Sequence, residues 1–134
     1  MGMASSSHPI NEHIGPITDP KVLAIVTAAI VRIANQWELS SAEAASLFGI
    51  SQATWVKLAR GTRVGSLDKD SATRVSLILG IFRILRTIFN GDLASAWPKT
   101  PNNGPLYGGR SPIALMIAGG VPAMVSVRSH LECL

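Results

Sequence analysis

Leu23, Val26, Ile30, Ile33 and Trp37 recur at three- and four-residue spacing, which predicts a helix with one face turned to a core. Asp19-Pro20 precedes them, a capping residue followed by the residue favoured at the first helical position. Ser40-Ser41-Ala42-Glu43 is a capping box, in which the serine hydroxyl meets an amide three residues on and the glutamate reaches back. Ala44, Ala45, Leu47 and Phe48 fill that second helix before Gly49 stops it. Ser51 caps a third, with Trp55 and Leu58 inward, ending at Gly61.

A longer segment, about Leu67 to Phe89, has Gly80 as its one helix breaker. Its polar stripe is Ser76, Gly80, Arg83 and Thr87; nearly everything else from Val75 onward is apolar. A surface helix needs an apolar arc of only about 100°. Burial on two sides is therefore expected, by the chain's own fold and by a second copy, with Leu77, Ile81, Ile84 and Ile88 as dimerisation residues. Beyond Asn90-Gly91 a short helix runs to Trp97, closed by Pro98, and residues 98–110 form a Pro- and Gly-rich loop. Ser111-Pro112 starts a helix over Ile113–Ala118, Gly119-Gly120 ends it, and Val121-Pro122 opens the last one. No segment alternates with period two between hairpin turns, so an all-α fold is expected. It comprises a helix-turn-helix bundle followed by a small helical partner-binding region. The division expected is a mobile arm over 1–17, a helix-turn-helix region over 18–66, and a dimerisation and partner-binding region over 67–134.

Leu39 to Gly61 carries small residues for a helix crossing (Ala44, Ala45), a turn glycine (Gly49) and an apolar residue after it (Ile50). Two helices crossing through a tight turn require that pattern. In a DNA-binding protein the second helix enters the major groove by its N-terminal residues. The candidates are Ser51, Gln52 and Thr54, with Lys57, Arg60 and Arg63 for phosphates. Gln52 has the chemistry to bond adenine bidentately, and Ala53 to touch a thymine methyl. The competing reading is a plain helical hairpin whose basic residues are solvated.

Composition adds to this. The 134 residues are 47% hydrophobic but hold only 12 basic and 8 acidic side chains, where an average domain of this size has roughly 33 charges. That excludes a disordered chain and points to apolar surface covered by a partner. Between Lys57 and Arg74 stand five basic and two acidic residues, so this stretch supplies +3 of the net +4. The apolar runs Val22–Val31 and Val75–Phe82 are too short to span a bilayer, so no membrane association is expected. The single cysteine, Cys133, fits a reducing compartment. No signal peptide is read; Met1–Ser6 fits the loose myristoylation pattern, as chance matches do, and Met3 offers an alternative start. The expected location is cytoplasmic.

Other motifs fall short of a chemistry. Gly104 to Ser111 is one residue from a phosphate-binding loop. Arg110 stands where lysine belongs, Pro105 removes an amide, and no strand precedes it. His8 and His13 lie in the arm, and His130 with Cys133 makes two ligands where a structural zinc wants four. Glu12, Asp19, Asp68 and Asp70 form no carboxylate pair with a task. No catalytic residue, metal site or cofactor is expected, and the three tryptophans are placed in the core.

From Ala94 onward the chain resembles the Xre/MbcA/ParS-type antitoxins of bacterial type II toxin–antitoxin systems. The matching positions are Ala94, Trp97, Pro101, Asn102, Leu106, Gly108, Ser111, Pro112, Leu115, Met116, Gly119, Val127 and Leu131. With the helix-turn-helix, the resemblance covers about 39–131. Pro98 departs from it, standing where the family usually keeps an aliphatic residue. The resemblance implies a dimeric antitoxin that covers the NAD pocket of a cognate RES-domain toxin and binds its own operator DNA. The toxin-binding residues it implies are Tyr107, Gly108, Gly109 and Arg110, the Gly119-Gly120 turn, and Arg128, Leu131 and Leu134 on the last helix. Tyr107 and Arg110 are also residue types enriched at binding hot spots; a core plug under the loop is the equal alternative for Tyr107. The competing function is a dimeric helix-turn-helix regulator whose C-terminal helices sense a small ligand.

Overall fold

A computed structural model describes residues 15–134. The arm expected over 1–17, with Met1–Ser6, His8, Glu12 and His13, lies outside them except for its last three residues. Six α-helices and one short 3-10 turn make up the described residues, with no strand among them, so the fold is all-α.

Helix α1 (Pro20–Gln36) is capped by Asp19, whose carboxylate accepts from the Lys21 amide at 2.9 Å, and buries Leu23, Ile30, Ile33 and Ala34. Helix α2 (Ser41–Phe48) has both halves of the predicted capping box. Ser40 Oγ accepts from the Glu43 amide at 3.0 Å, and the Glu43 carboxylate accepts from the Ser40 amide at 2.9 Å. Gly49 ends it in the left-handed region, φ 70°, a conformation glycine adopts without the Cβ penalty. Helix α3 (Gln52–Ala59) follows at once, capped by Ser51, and Phe48 stacks on Trp55 across the turn with centroids 5.8 Å apart. Ile17 and Leu67 then pair through two backbone hydrogen bonds of 2.8 and 3.0 Å, clipping the two ends of the helix-turn-helix together.

Helix α4 (Lys69–Ile88), capped by Asp68, runs through the middle of the fold. It packs on α1, α2, α5 (Gly91–Ala96) and α6 (Pro112–Glu132), and α2 and α6 also meet each other directly. This position accounts for its apolar breadth and corrects part of the dimerisation reading. Leu77 and Ile81, with Val75, Ile78 and Leu85, are consumed by the chain's own core. Ile84 is half-buried and Ile88 exposed, so of the four residues these two remain at the surface. Ser71 Oγ, itself buried, donates to the Gly49 carbonyl at 2.9 Å and pins α4 to the α2–α3 turn.

The last two predicted helices form one run, α6, broken at Gly120 (φ 67°, ψ −149°) with Pro122 two residues beyond. Helix α6 is long and apolar enough by composition to cross a membrane. Its Ile113, Leu115, Met116, Met124, Val127 and Leu131 are nevertheless buried in the core, and its axis is interrupted mid-way. Trp37 and Trp55 are buried and Trp97 half-buried.

Candidate nucleic-acid and partner interfaces

Trp55 and Leu58 anchor α3 inward, which turns Gln52, Ala53, Lys57 and Arg60 to solvent. Ser51 and Thr54 are engaged with each other. Ser51 Oγ accepts from the Thr54 amide at 3.0 Å and donates to Thr54 Oγ1 at 2.9 Å, and Thr54 is half-buried. Both hydroxyls thus hold the helix start, which leaves Gln52 and Ala53 as the exposed side chains not engaged in the cap. Arg60 is the C-cap residue of α3. Arg63, exposed beyond Gly61, lines a cavity of about 360 Å³ with Pro20, Leu23 and Val64. The geometry is a helix presented by its N-terminal half with cations trailing behind, which suits base contact in front and phosphate contact on the flanks.

The second candidate surface is the loop between the 3-10 turn (Trp97–Lys99) and α6. Asn102 clasps it. Its side-chain carbonyl accepts from the Gly104 amide at 2.8 Å, its backbone carbonyl accepts from Gly109 at 2.9 Å, and its amide donates to the Arg110 carbonyl at 3.1 Å. Gly108 (φ 59°) and Gly109 (φ 88°) turn the chain at the tip in a region that favours glycine. Gly108, Gly109 and Arg110 are exposed. The amides of Gly104, Tyr107, Gly108, Gly109 and Arg110 all donate within the loop, so they do not converge on an anion as a phosphate loop requires.

Tyr107 is the plug under this loop, 1% exposed; this corrects its reading as a toxin contact. Its ring meets Trp97 edge-on at 5.9 Å and His130 at 5.4 Å, and its hydroxyl hydrogen-bonds His130 Nδ1 at 2.7 Å. Burial pushes the phenol pKa up from 10.0 to about 12. Leu131 is likewise 1% exposed, because it sits on the core face of α6 with Met124 and Val127, and is corrected for the same reason. Leu134 is exposed, Gly119 exposed and Gly120 half-buried.

Arg128 and His130 are two residues apart, about 200° around a helix, and they face different neighbours. His130 meets the Tyr107 loop, whereas Arg128 ion-pairs Glu132 at 3.4 Å and lies beside Gly80 of α4. Arg128 and the loop tip are therefore not one surface.

Two cations that site reasoning passed over tie the elements together. Lys99 Nζ donates to the Glu38 carbonyl at 3.0 Å and to the Glu43 carboxylate at 3.3 Å, joining the 3-10 turn to the start of α2. The Ser40 amide and Lys99 hold the Glu43 carboxyl below the usual carboxylate range. Arg74 pairs with Asp70 at 2.9 Å, lies against Gly49 and reaches the neighbourhood of Gly120. The Lys99 bonds span 61 and 56 residues, a range for which a single sequence has no periodic signal, whereas Arg74–Asp70 is an i,i+4 pair within α4. Among the described residues no three His, Cys, Asp or Glu side chains gather as a metal site.

Comparison with known proteins adds two findings. Residues 24–80, from inside α1 to the middle of α4, match the antitoxin Xre-like helix-turn-helix domain. Over 119 residues the chain is 30% identical to the uncharacterized protein y4oB of Sinorhizobium fredii, covering 87% of this chain and 89% of that protein.

Proposed function

The chain belongs to the Xre-type antitoxin helix-turn-helix family, and on that premise we propose that it neutralises a RES-domain toxin and represses its own operon as a homodimer. Antitoxin and DNA-binding regulator are the general roles of the family's domain; the toxin class, the contact residues and the dimer are our own assignment. The observation that carries it is the division of exposed groups between two ends of the chain. A capped recognition helix presents Gln52, Lys57 and Arg60, and a clasped, glycine-tipped loop presents Gly108, Gly109 and Arg110.

We assign DNA contact to the 18–66 region, through Gln52, Lys57, Arg60 and Arg63 with Ser51 and Thr54 as the helix start. Toxin contact falls to the 67–134 region, through Gly108, Gly109, Arg110, the Gly119-Gly120 break and Leu134. A loop whose amides are internally bonded loses little conformational entropy on docking, and its arginine supplies a forked cation suited to a partner carboxylate or phosphate.

The test is co-expression with a RES-domain toxin encoded beside the chain. Cells should grow and keep their NAD, and the two proteins should co-purify. Arg110→Glu, at an exposed position, should release the toxin without altering the antitoxin's melting curve. A neighbour that is harmless alone and does not co-purify removes the antitoxin reading. For DNA, binding to the operon's own promoter should weaken with a log–log salt slope of about −0.9 per neutralised phosphate. Lys57→Ala and Arg60→Ala should each make that slope shallower. Salt-independent binding removes the repressor reading.

A further inference from the structure

Helices α1, α4 and the end of α6 enclose an open groove of about 610 Å³, floored by Val26, Val75, Leu79 and Ile84 and rimmed by Arg83, Arg128 and Glu132. We infer that a second copy of this chain seats across this groove and the adjoining outer face of α1, and that this face is the two-fold interface. The inference rests on the homodimer proposed above and names its surface.

Three observations converge on a copy of the same chain. The apolar floor continues outward over α1, where Val22 is 45% and Ile25 71% exposed, and along α4 to Ile88 at 37%. Val22, Ile25 and Val26 lie on neighbouring turns, so this is one strip joined to the groove. Size is the second observation. Helix α1 has 17 residues, about 25 Å of length at 1.5 Å per residue. Side by side with α4 it makes a face about 20 Å wide, roughly 500 Å² in projection before corrugation and the α6 rim are added. A stable dimer buries about 800 Å² of accessible surface per partner, so the bare projection of this face already supplies more than half of that area.

The third is charge. An isologous contact sets the same patch against itself, so a rim of one sign would repel its copy. This rim carries both signs: Arg83 is exposed on α4, and Glu132 on α6 is half-exposed and held by a single long bond to Arg128. A two-fold operation can bring Arg83 of each copy toward the acid of the other. Gly80 fits the same picture. It stands mid-helix, where glycine is less favourable than alanine, and a Cβ there would meet nothing closer than Arg128 Cδ at 4.0 Å. The chain's own packing does not require glycine at that position; close approach of a second helix does.

Sedimentation equilibrium on the full chain tests this. The wild type should run at twice the 14.1 kDa chain mass. Ile25→Glu, at a largely solvent-exposed position, should raise the dimer Kd at least 100-fold while leaving the helical circular dichroism unchanged. Gly80→Leu, whose Cβ meets nothing nearer than 4.0 Å in the single chain, adds bulk to the groove lining and should do the same; it decides the matter if Ile25→Glu fails to fold. Leu93→Glu, on an exposed position of α5, should leave the mass at the dimer value. A wild type that sediments as a monomer up to 100 µM overturns the homodimer itself. A wild-type dimer that survives both Ile25→Glu and Gly80→Leu, or loses toxin binding instead of mass, keeps the homodimer and overturns this face.

Discussion

Tyr107→Phe isolates one hydrogen bond under the candidate toxin-binding loop. The substitution keeps the ring in its contacts with Trp97 and His130 and removes only the hydroxyl 2.7 Å from His130 Nδ1. Because His130 is half-buried, water can replace part of the lost partner, so the cost is that of an ordinary hydrogen bond, about 1 kcal/mol. In a chain of this size that lowers Tm by roughly 4 °C. A second signature follows from the phenol proton, which burial holds to about 12 in the folded state against 10.0 for the unperturbed group. The raised value means the folded chain binds that proton more tightly than the unfolded chain. The associated stability is complete below about pH 10 and is lost as pH rises toward and through 12, by at most about 3 kcal/mol. Urea denaturation of wild type and Tyr107→Phe at pH 8 and at pH 11.5 reads both effects. The wild type should start ahead, and its advantage should vanish or reverse in alkali, where lysines titrate in both proteins alike. Two proteins of equal stability at pH 8, with parallel alkaline limbs, would refute the account of Tyr107 as a buried, bonded plug.

The other perturbations probe the joints of the fold. Gly120→Ala places a Cβ at φ 67°, ψ −149°, backbone that only glycine adopts freely, and should cost about 1–3 kcal/mol; an unchanged Tm would mean α6 bends elsewhere in solution. Ser71→Ala deletes the buried hydroxyl that reaches the Gly49 carbonyl at 2.9 Å and should lower the urea midpoint by an amount worth about 1 kcal/mol. An unaltered midpoint would show that solvent satisfies that carbonyl unaided.

How much of this was legible in the sequence depends on the range of the interaction. Asp19, Ser40, Ser51, Asp68 and Ser111 all cap helices through bonds to amides two or three residues away, and local bonds leave local patterns. The core face of α1 was equally plain, since a 3.6-residue period needs no knowledge of what lies opposite. Helix α4 was readable as over-apolar but not as central. Hydrophobicity reports that a side chain is covered and is silent on whether the cover is the chain's own core, as for Leu77 and Ile81, or another molecule. Tyr107 is open in the sequence for a related reason: a tyrosine beside glycines serves equally as a contact or a plug, and the position of His130, 23 residues on, decides. Arg128 needed one further step, the angle separating it from His130.

Helix α4 is common to both ends of the chain, in contact with α1 and α2 from the N-terminal part and with α5 and α6 from the C-terminal part. Its first half lies inside the matched antitoxin domain, which stops at residue 80, and its second half lies outside. An exchange of DNA-reading heads between such proteins would have to cut through a continuous helix and re-fit both of its faces at once. The two regions to which DNA and toxin contact are assigned above therefore share one helix. Ile78 and Ile81, fully buried on that shared helix, leave no room for a substitution that suits one region alone.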